Sequence, residues 1–234
     1  MIRVAVSGAA GRMGALVCQA VAEADGLDLI VAYDPSHAGE TVAGMTVTDD
    51  TDAVGGADVV VEFTVPTIML DNLARWRALE VHTVVGTSGF DEERLAELRR
   101  RWGSGPPNCL VVPNFSIGAV LMMRFAEEAS SHLPDAEIVE MHHQDKVDAP
   151  SGTAIATADR MGRSTGGDPP EIHSVRLPGI VSRQDVIFGG VGETLTISHE
   201  TTDRKSFMPG VLIAVRGVAG LPAPVTVGLE AVLE

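Results

Sequence analysis

The chain predicts an α/β domain built on a parallel sheet covered on both faces, joined to an α+β segment with a mixed, more open sheet. Three observations predict this. Short, valine-rich strands alternate with helical stretches through the first half of the sequence. A glycine-rich loop links the first strand to the first helix. After about residue 135 the strands lengthen and only one or two helices interrupt them. At 234 residues, the chain is long enough for two small domains, each with a full core.

The elements follow in order. Residues 2–7 are apolar and end at Gly8, as a buried strand does. Met13, Leu16, Val17, Ala20 and Val21 fall at helical spacing within 12–24. Leu27 to Tyr33 is a second strand, broken by Asp34-Pro35-Ser36. Asp58 to Phe63 is a third, followed by Thr64-Val65-Pro66 and a helical stretch to about Leu79. His82 to Val85 is a fourth, closed by Gly86-Thr87-Ser88-Gly89. A charged amphipathic helix occupies 91–102, and Cys109 to Val112 is a fifth strand leading into Pro113-Asn114-Phe115. Beyond it, Glu137 to His142, Ile172 to Leu177, Val186 to Phe188 and Glu193 to His199 read as strands of a second domain. The last strand, Val225 to Leu229, is expected to return to the first domain. No internal repeat or low-complexity tract stands out.

Charge narrows the partners. The formal net charge is −15, so nucleic acid and anionic membranes are poor ligands for this surface. An anionic small molecule would need local positive groups. Cys18 and Cys109 lie far apart with no CxxC spacing, which reads as buried thiols in a reducing compartment. The start, Met-Ile-Arg-Val-Ala-Val-Ser-Gly, enters a strand directly and shows no signal peptide. No apolar run approaches the ~18 residues of a membrane span. These features predict a cytoplasmic protein.

Gly8-Ala9-Ala10-Gly11-Arg12-Met13-Gly14 has the spacing G-x-x-G-x-x-G between strand and helix. Gly8 permits the tight turn, Gly11 lets the backbone approach a pyrophosphate, and Gly14 allows close helix–strand packing. Asp34 ends the second strand, where a carboxylate accepts hydrogen bonds from ribose hydroxyls. Its charge opposes a 2′-phosphate and Pro35 follows it, so the expected cofactor is NADH, with NADPH tolerated through Arg12. In an open α/β sheet, ligands lie at the carboxyl ends of strands. Phe63-Thr64, Gly86-Thr87-Ser88 and Val112-Pro113-Asn114-Phe115 all fall there and suit a nicotinamide pocket.

The segment 140–154, Glu-Met-His-His-Gln-Asp-Lys-Val-Asp-Ala-Pro-Ser-Gly-Thr-Ala, carries the chemistry. His142, His143 and Lys146 crowd positive charge, which suits an anion or proton chemistry. Ser151 is an N-cap, so the helix it opens aims free N–H groups outward. A histidine there acts as general acid, and the lysine holds or polarises an anionic substrate. No metal-binding pattern is present. Two other readings remain open at this level: another dehydrogenase acting on aspartate or a related amino or imino acid, and an NAD(H) sensor without turnover.

These motifs resemble the dihydrodipicolinate reductase (4-hydroxy-tetrahydrodipicolinate reductase) family over essentially the full length. The resemblance rests on residues 6–14, Val61-Glu-Phe-Thr64, Val85-Gly-Thr-Ser-Gly-Phe90, Pro113-Asn-Phe-Ser-Ile-Gly118, the whole 140–154 segment, Ile172-His-Ser-Val-Arg176 and Asp203-Arg-Lys-Ser-Phe207. It implies a Rossmann-like dinucleotide-binding domain, 1–115 completed by 208–234. It also implies a substrate-binding and tetramerisation domain, 116–207, in a homotetramer. It implies NAD(P)H-dependent reduction of a cyclic dicarboxylate imine in the diaminopimelate–lysine pathway, with hydride to C4 and a proton to C3. Carried over by motif, His142 is the proton donor and Lys146 the second catalytic group. His143, Gly152 and Thr153 bind the substrate carboxylates. The cofactor meets Gly8 to Met13, Asp34, Phe63, Thr64, Gly86 to Ser88, and Val112 to Phe115. His37, His82, His132, His173 and His199 are expected at surface or packing positions, with Arg176 and Arg204 helping to close the substrate domain.

Overall fold

Val4, Val6, Val60, Val61, Val84 and Val85 are fully or almost fully buried, as strands covered on both faces require. They form the centre of a six-stranded sheet in the computed structural model, which describes residues 1–233. In chain order the elements of this region are β1 (Ile2–Ser7), α1 (Arg12–Glu23), β2 (Leu27–Tyr33), β3 (Thr41–Val42), β4 (Met45–Thr46), β5 (Val59–Glu62), α2 (Met69–Ala78), β6 (His82–Val85), α3 (Glu92–Trp102) and β7 (Cys109–Val111). The chain then builds α4 (Ile117–Ser130), β8 (Ala136–His142), α5 (Gly152–Thr165), β9 (Glu171–Arg176), β10 (Ser182–Gly190) and β11 (Glu193–Thr201). It finishes with α6 (Met208–Gly217) and β12 (Val225–Val227). Two compact units result: Ser116–Ser206 is one, and Met1–Phe115 with the segment from Phe207 onward is the other.

In the first unit the sheet runs β12-β7-β6-β5-β1-β2 and every pairing is parallel. The order reverses at β1, which lies between β2 and β5, so the crevice at that point is where an α/β sheet takes its ligand. Trp76 of α2 and Tyr33 of β2 meet edge to face with ring centroids 5.5 Å apart. α3 shows why its residues form a helix. Asp91 caps it through Arg94 N–H at 2.8 Å, Glu92 and Glu93 occupy the first turn, and Arg99 to Arg101 the last. Cys18 and Cys109 are buried and unpaired, and burial pushes the Cys18 thiol up to about 12.

In the second unit the sheet runs β11-β10-β8-β9, with β8 and β9 parallel and the other pairs antiparallel. Ile138, Val186 and Phe188 pack against Ala126, Ala154, Ala158 and Met161 of α4 and α5. Because side chains alternate along a strand, Glu140 and His142 share the helix-covered face with Ile138.

Some elements differ from the sequence expectation. α4 and α6 are well-formed helices that apolar periodicity left without bounds, because apolar residues occur around much of each. β10 begins at Ser182 instead of Val186; its polar start is buried at Gln184 and Asp185, which bond Thr157 and Ser198. β12 ends at Val227 and pairs β7 at the edge of the first sheet. Among the described residues, no helix is long and apolar enough to cross a membrane.

Asn108 anchors the returning C-terminal segment. Its buried amide lies 3.1, 3.2 and 2.9 Å from the carbonyls of Val218, Ala219 and Leu221. Asn108→Ala is expected to cost about 1–3 kcal/mol, because those carbonyls lose their donor. Urea unfolding checks this: a lower midpoint at unchanged m supports the anchor, and an unchanged midpoint contradicts it.

Candidate active site

The first unit presents its loops at one end of the sheet. Gly8 takes φ +77°, and a Cβ there would collide with the Phe63 carbonyl. A Cβ on Gly14 would run into the Gly8 carbonyl, so α1 can approach the turn only with glycine at that position. Gly11 precedes α1 and supplies no side-chain cap, which leaves the helix N-terminus open toward an anion. Ala9 is buried, Ala10 and Met13 half-buried, and Arg12 exposed. These features fit a dinucleotide pyrophosphate: a cradle free of side chains beneath a helix N-terminus.

Asp34 is nearly buried, and its carboxylate accepts from Ala10 N–H at 3.3 Å and Ser36 N–H at 3.1 Å. His37 Nδ1 sits 3.1 Å from the same carboxylate, and that bond raises the imidazole above its ordinary range. A cleft of roughly 420 Å³ opens here, lined by Gly8, Gly11, Asp34, His37, Thr64 and Arg75 among others.

The neighbouring strand ends are tied together. Glu62 is fully buried and accepts from Trp76 Nε1 at 2.8 Å, Asn72 Nδ2 at 3.3 Å and the Thr64 hydroxyl. Thr64 N–H donates to Thr87 Oγ1 at 2.9 Å, which fixes the ends of β5 and β6 against each other. Phe63 and Phe115 pack with ring centroids 5.5 Å apart, and a Cβ on Gly86 would enter both rings. Val112 is buried, Asn114 half-buried, and Ser88 and Pro113 exposed. The cofactor residues expected from sequence therefore lie at the carboxyl ends of β1, β2, β5, β6 and β7, on the loops of one sheet.

In the second unit His142 is the last residue of β8. Its Nδ1 lies 2.6 Å from Glu140 Oε2 and its Nε2 lies 3.1 Å from Ser182 Oγ. A carboxylate only accepts, so Nδ1 carries the proton and Nε2 accepts from the serine in the neutral ring. Burial lowers the His142 pKa, and the Lys146 and Arg176 charges add to that; the Glu140 bond opposes them. Glu140 is fully buried, but its pKa still falls: against the desolvation that raises it stand bonds from Arg176, Ser174 and His142.

Lys146 is not a free cation. Its Nζ holds both Asp148 oxygens at 2.8 and 2.7 Å, which draws that carboxyl below its ordinary range. His143 is half-buried, and its carbonyl accepts from Lys146 N–H at 3.1 Å. Ser151 caps α5 through Ala154 N–H at 3.2 Å. Gly152 and Thr153 form the first turn, and a Cβ on Gly152 would meet open space.

Residues 2–115 match the family model for the dihydrodipicolinate reductase N-terminus, and residues 118–233 match that for its C-terminus. The chain belongs to the dihydrodipicolinate reductase family. It is 48% identical to the 4-hydroxy-tetrahydrodipicolinate reductase of Cutibacterium acnes, with 100% of this chain and 99% of the relative covered. It is 46% identical to that of Thermobifida fusca over the same shares. The solved structure of dipicolinate-bound dihydrodipicolinate reductase from Paenisporosarcina sp. TG-14 superposes with a TM-score of 0.84 at 32% identity, covering 100% of both chains.

Sequence reasoning missed several members of this reductase's polar networks. Glu62 and Glu140 read only as strand residues, and His37, exposed as expected, bonds the Asp34 carboxylate. Ser182 fell outside the expected strand. Arg176, expected to help close the substrate domain, has its guanidinium bonded to Glu140. The one available signal was parity: Glu140 and His142 are two apart on a strand and so share a face. His82, His173 and His199 each hold one local hydrogen bond, to Asn108, Glu137 and Ser116.

Proposed function

We propose that this chain reduces 4-hydroxy-tetrahydrodipicolinate to tetrahydrodipicolinate with NADH or NADPH, in the diaminopimelate–lysine route. The observation that carries the reading is His142. A half-buried imidazole bonded to a buried carboxylate, in a chain of the reductase family, suits a positioned general acid. The 4-hydroxyl leaves as water to give the conjugated cyclic imine, and bound nicotinamide would then supply hydride to its C4. The chain's own residues would orient the substrate and deliver a proton to C3.

Two carboxylates on the substrate would meet His143, Lys146 and the first-turn N–H groups at Gly152 and Thr153, fixing the ring in a near-attack pose. Asp148 holds Lys146 until that anion arrives. In the free protein the lowered pKa leaves His142 mostly neutral at pH 7. A dianion beside it raises that pKa and draws a proton onto Nε2, so the acid is charged when substrate is present. The proton then passes from Nε2 to carbon, and the ring returns to its neutral form. The first-unit loops from Gly8 to Met13, with Asp34, Phe63, Thr64, Gly86 to Ser88 and Val112 to Phe115, would hold the cofactor. A homotetramer is the assembly we expect.

A coupled assay tests the reading: an upstream synthase makes the imine from pyruvate and aspartate semialdehyde, and NADH or NADPH loss is followed by absorbance. Oxidation that requires the imine is expected; none from folded protein that binds NADH would overturn the assignment. In the same assay His142→Ala should lower kcat by roughly 10²–10⁴. Lys146→Ala should be strongly impaired while NADH affinity stays near wild type. Normal turnover by either variant would remove that residue from the mechanism.

NADH is the cofactor we favour, because the Asp34 carboxylate at the end of β2 would accept from ribose hydroxyls and oppose a 2′-phosphate. His37 tempers that preference: its bond to Asp34 raises the imidazole above its ordinary range, and it faces a cleft also lined by Asp71 and Arg75, with Glu40 close by. Gaining positive charge as pH falls, it should admit a 2′-phosphate. The NADPH dissociation constant, read by cofactor fluorescence, should tighten relative to NADH on acidification. His37→Ala should flatten that trend beyond what the phosphate's own titration leaves; identical profiles for the two proteins would exclude His37.

A further inference from the structure

Arg176 touches the supports of both candidate catalytic groups. It ends β9 and is the register partner of His142 on β8. Its Nη1 and Nη2 grip Glu140 in bidentate fashion at 2.9 and 2.8 Å. The same Nη2 donates to the Asp148 carbonyl at 2.7 Å, and Asp148 is the residue whose carboxylate holds Lys146. A second bond from Nη1, 2.7 Å to the Val175 carbonyl, pins the guanidinium to its own strand. Leu177 N–H donates to the His142 carbonyl at 3.1 Å and closes the frame from the other side.

We propose that Arg176 and Glu140 form a positioning pair for proton transfer, in which Glu140 holds the Nδ1 proton of His142 and Arg176 sets the spacing between His142 and Lys146. The inference rests on the reductase reading. In it Glu140 stays ionised throughout. The proton leaving Nε2 goes to the substrate carbon, the Nδ1 proton stays on the ring, and solvent restores Nε2. Ser182 Oγ occupies Nε2 in the free protein and yields when the substrate enters. A planar guanidinium matches two carboxylate oxygens and a carbonyl at once, which a lysine ammonium cannot do in the same geometry.

A buried ion pair can also be merely structural, so the test must separate the two roles. Glu140→Gln keeps the shape and removes the charge that holds Nδ1–H. If the pair positions His142, kcat falls on the order of 10²–10⁴, as when the carboxylate behind a catalytic histidine is neutralised. The dissociation constants for NADH and for pyridine-2,6-dicarboxylate, a planar dicarboxylate probe, stay within a few-fold. The kcat/KM limb reporting His142 moves to lower pH, since the Glu140 bond raises that pKa. Arg176→Lys should lose kcat as well and weaken the dicarboxylate probe, because the Asp148–Lys146 arm slackens. A folded Glu140→Gln protein with wild-type kcat and an unmoved profile would overturn the proposal, even if Arg176→Lys is too unstable to assay. Failure of the wild-type chain to oxidise NADH with the imine is a different result and sinks the reductase reading instead.

Discussion

A carboxylate with no solvent contact must be matched donor for donor, and Glu140 sets that demand at the middle of the second sheet. It is met by the fork of Arg176, the ring of His142 and the hydroxyl of Ser174. Leaving one buried partner alone costs far more than the pair contributes in net stability. The strand register of β8 against β9 is therefore constrained by side chains as well as by the ladder. His142 inherits its orientation from that constraint. The imidazole is aimed by a charge that cannot relax, so one nitrogen is spoken for and the other is directed outward to Ser182.

The first unit obeys a constraint of a different kind, steric where the other is electrostatic. Gly8, Gly14 and Gly86 sit where a Cβ would strike a carbonyl or an aromatic ring. The parallel sheet brings five strand ends to one edge, and Glu62, Thr64 and Thr87 lock two of them by hydrogen bonds. The outcome is a backbone surface shaped before any ligand arrives, which lowers the ordering cost of binding. The net charge of −15 keeps this chain's general surface unattractive to anions. Selectivity for an anionic cofactor and substrate then depends on a few local groups: a helix N-terminus, His37, Lys146 and the start of α5.

Much of the fold was legible because the strands advertise themselves. Short apolar, valine-rich runs gave β1, β2, β5, β6 and β7 nearly to the residue, with Gly8, Asp34-Pro35 and Gly86 marking the ends of β1, β2 and β6. α4 and α6 were hidden because a helix that is apolar on several sides lacks the periodicity that marks an amphipathic one. The start of β10 was hidden because Gln184 and Asp185 are polar yet buried, and the bonds that permit this come from α5 and β11. In the candidate site, residue type and spacing pointed to His142, Lys146 and the Ser151 cap. Pairing was not legible. Arg176 and Glu140 are far apart in sequence, and nothing in either local segment says that a sheet will set them side by side.

The most direct test of this account is the tautomer of His142 in the free protein. Long-range ¹H–¹⁵N correlation on histidine-labelled protein at pH 7.5, assigned with His142→Ala, reads which ring nitrogen carries the proton. The ring is expected to be neutral and protonated at Nδ1, and to become imidazolium when pyridine-2,6-dicarboxylate binds. A ring protonated at Nε2, or one that the dicarboxylate leaves unchanged, would contradict it.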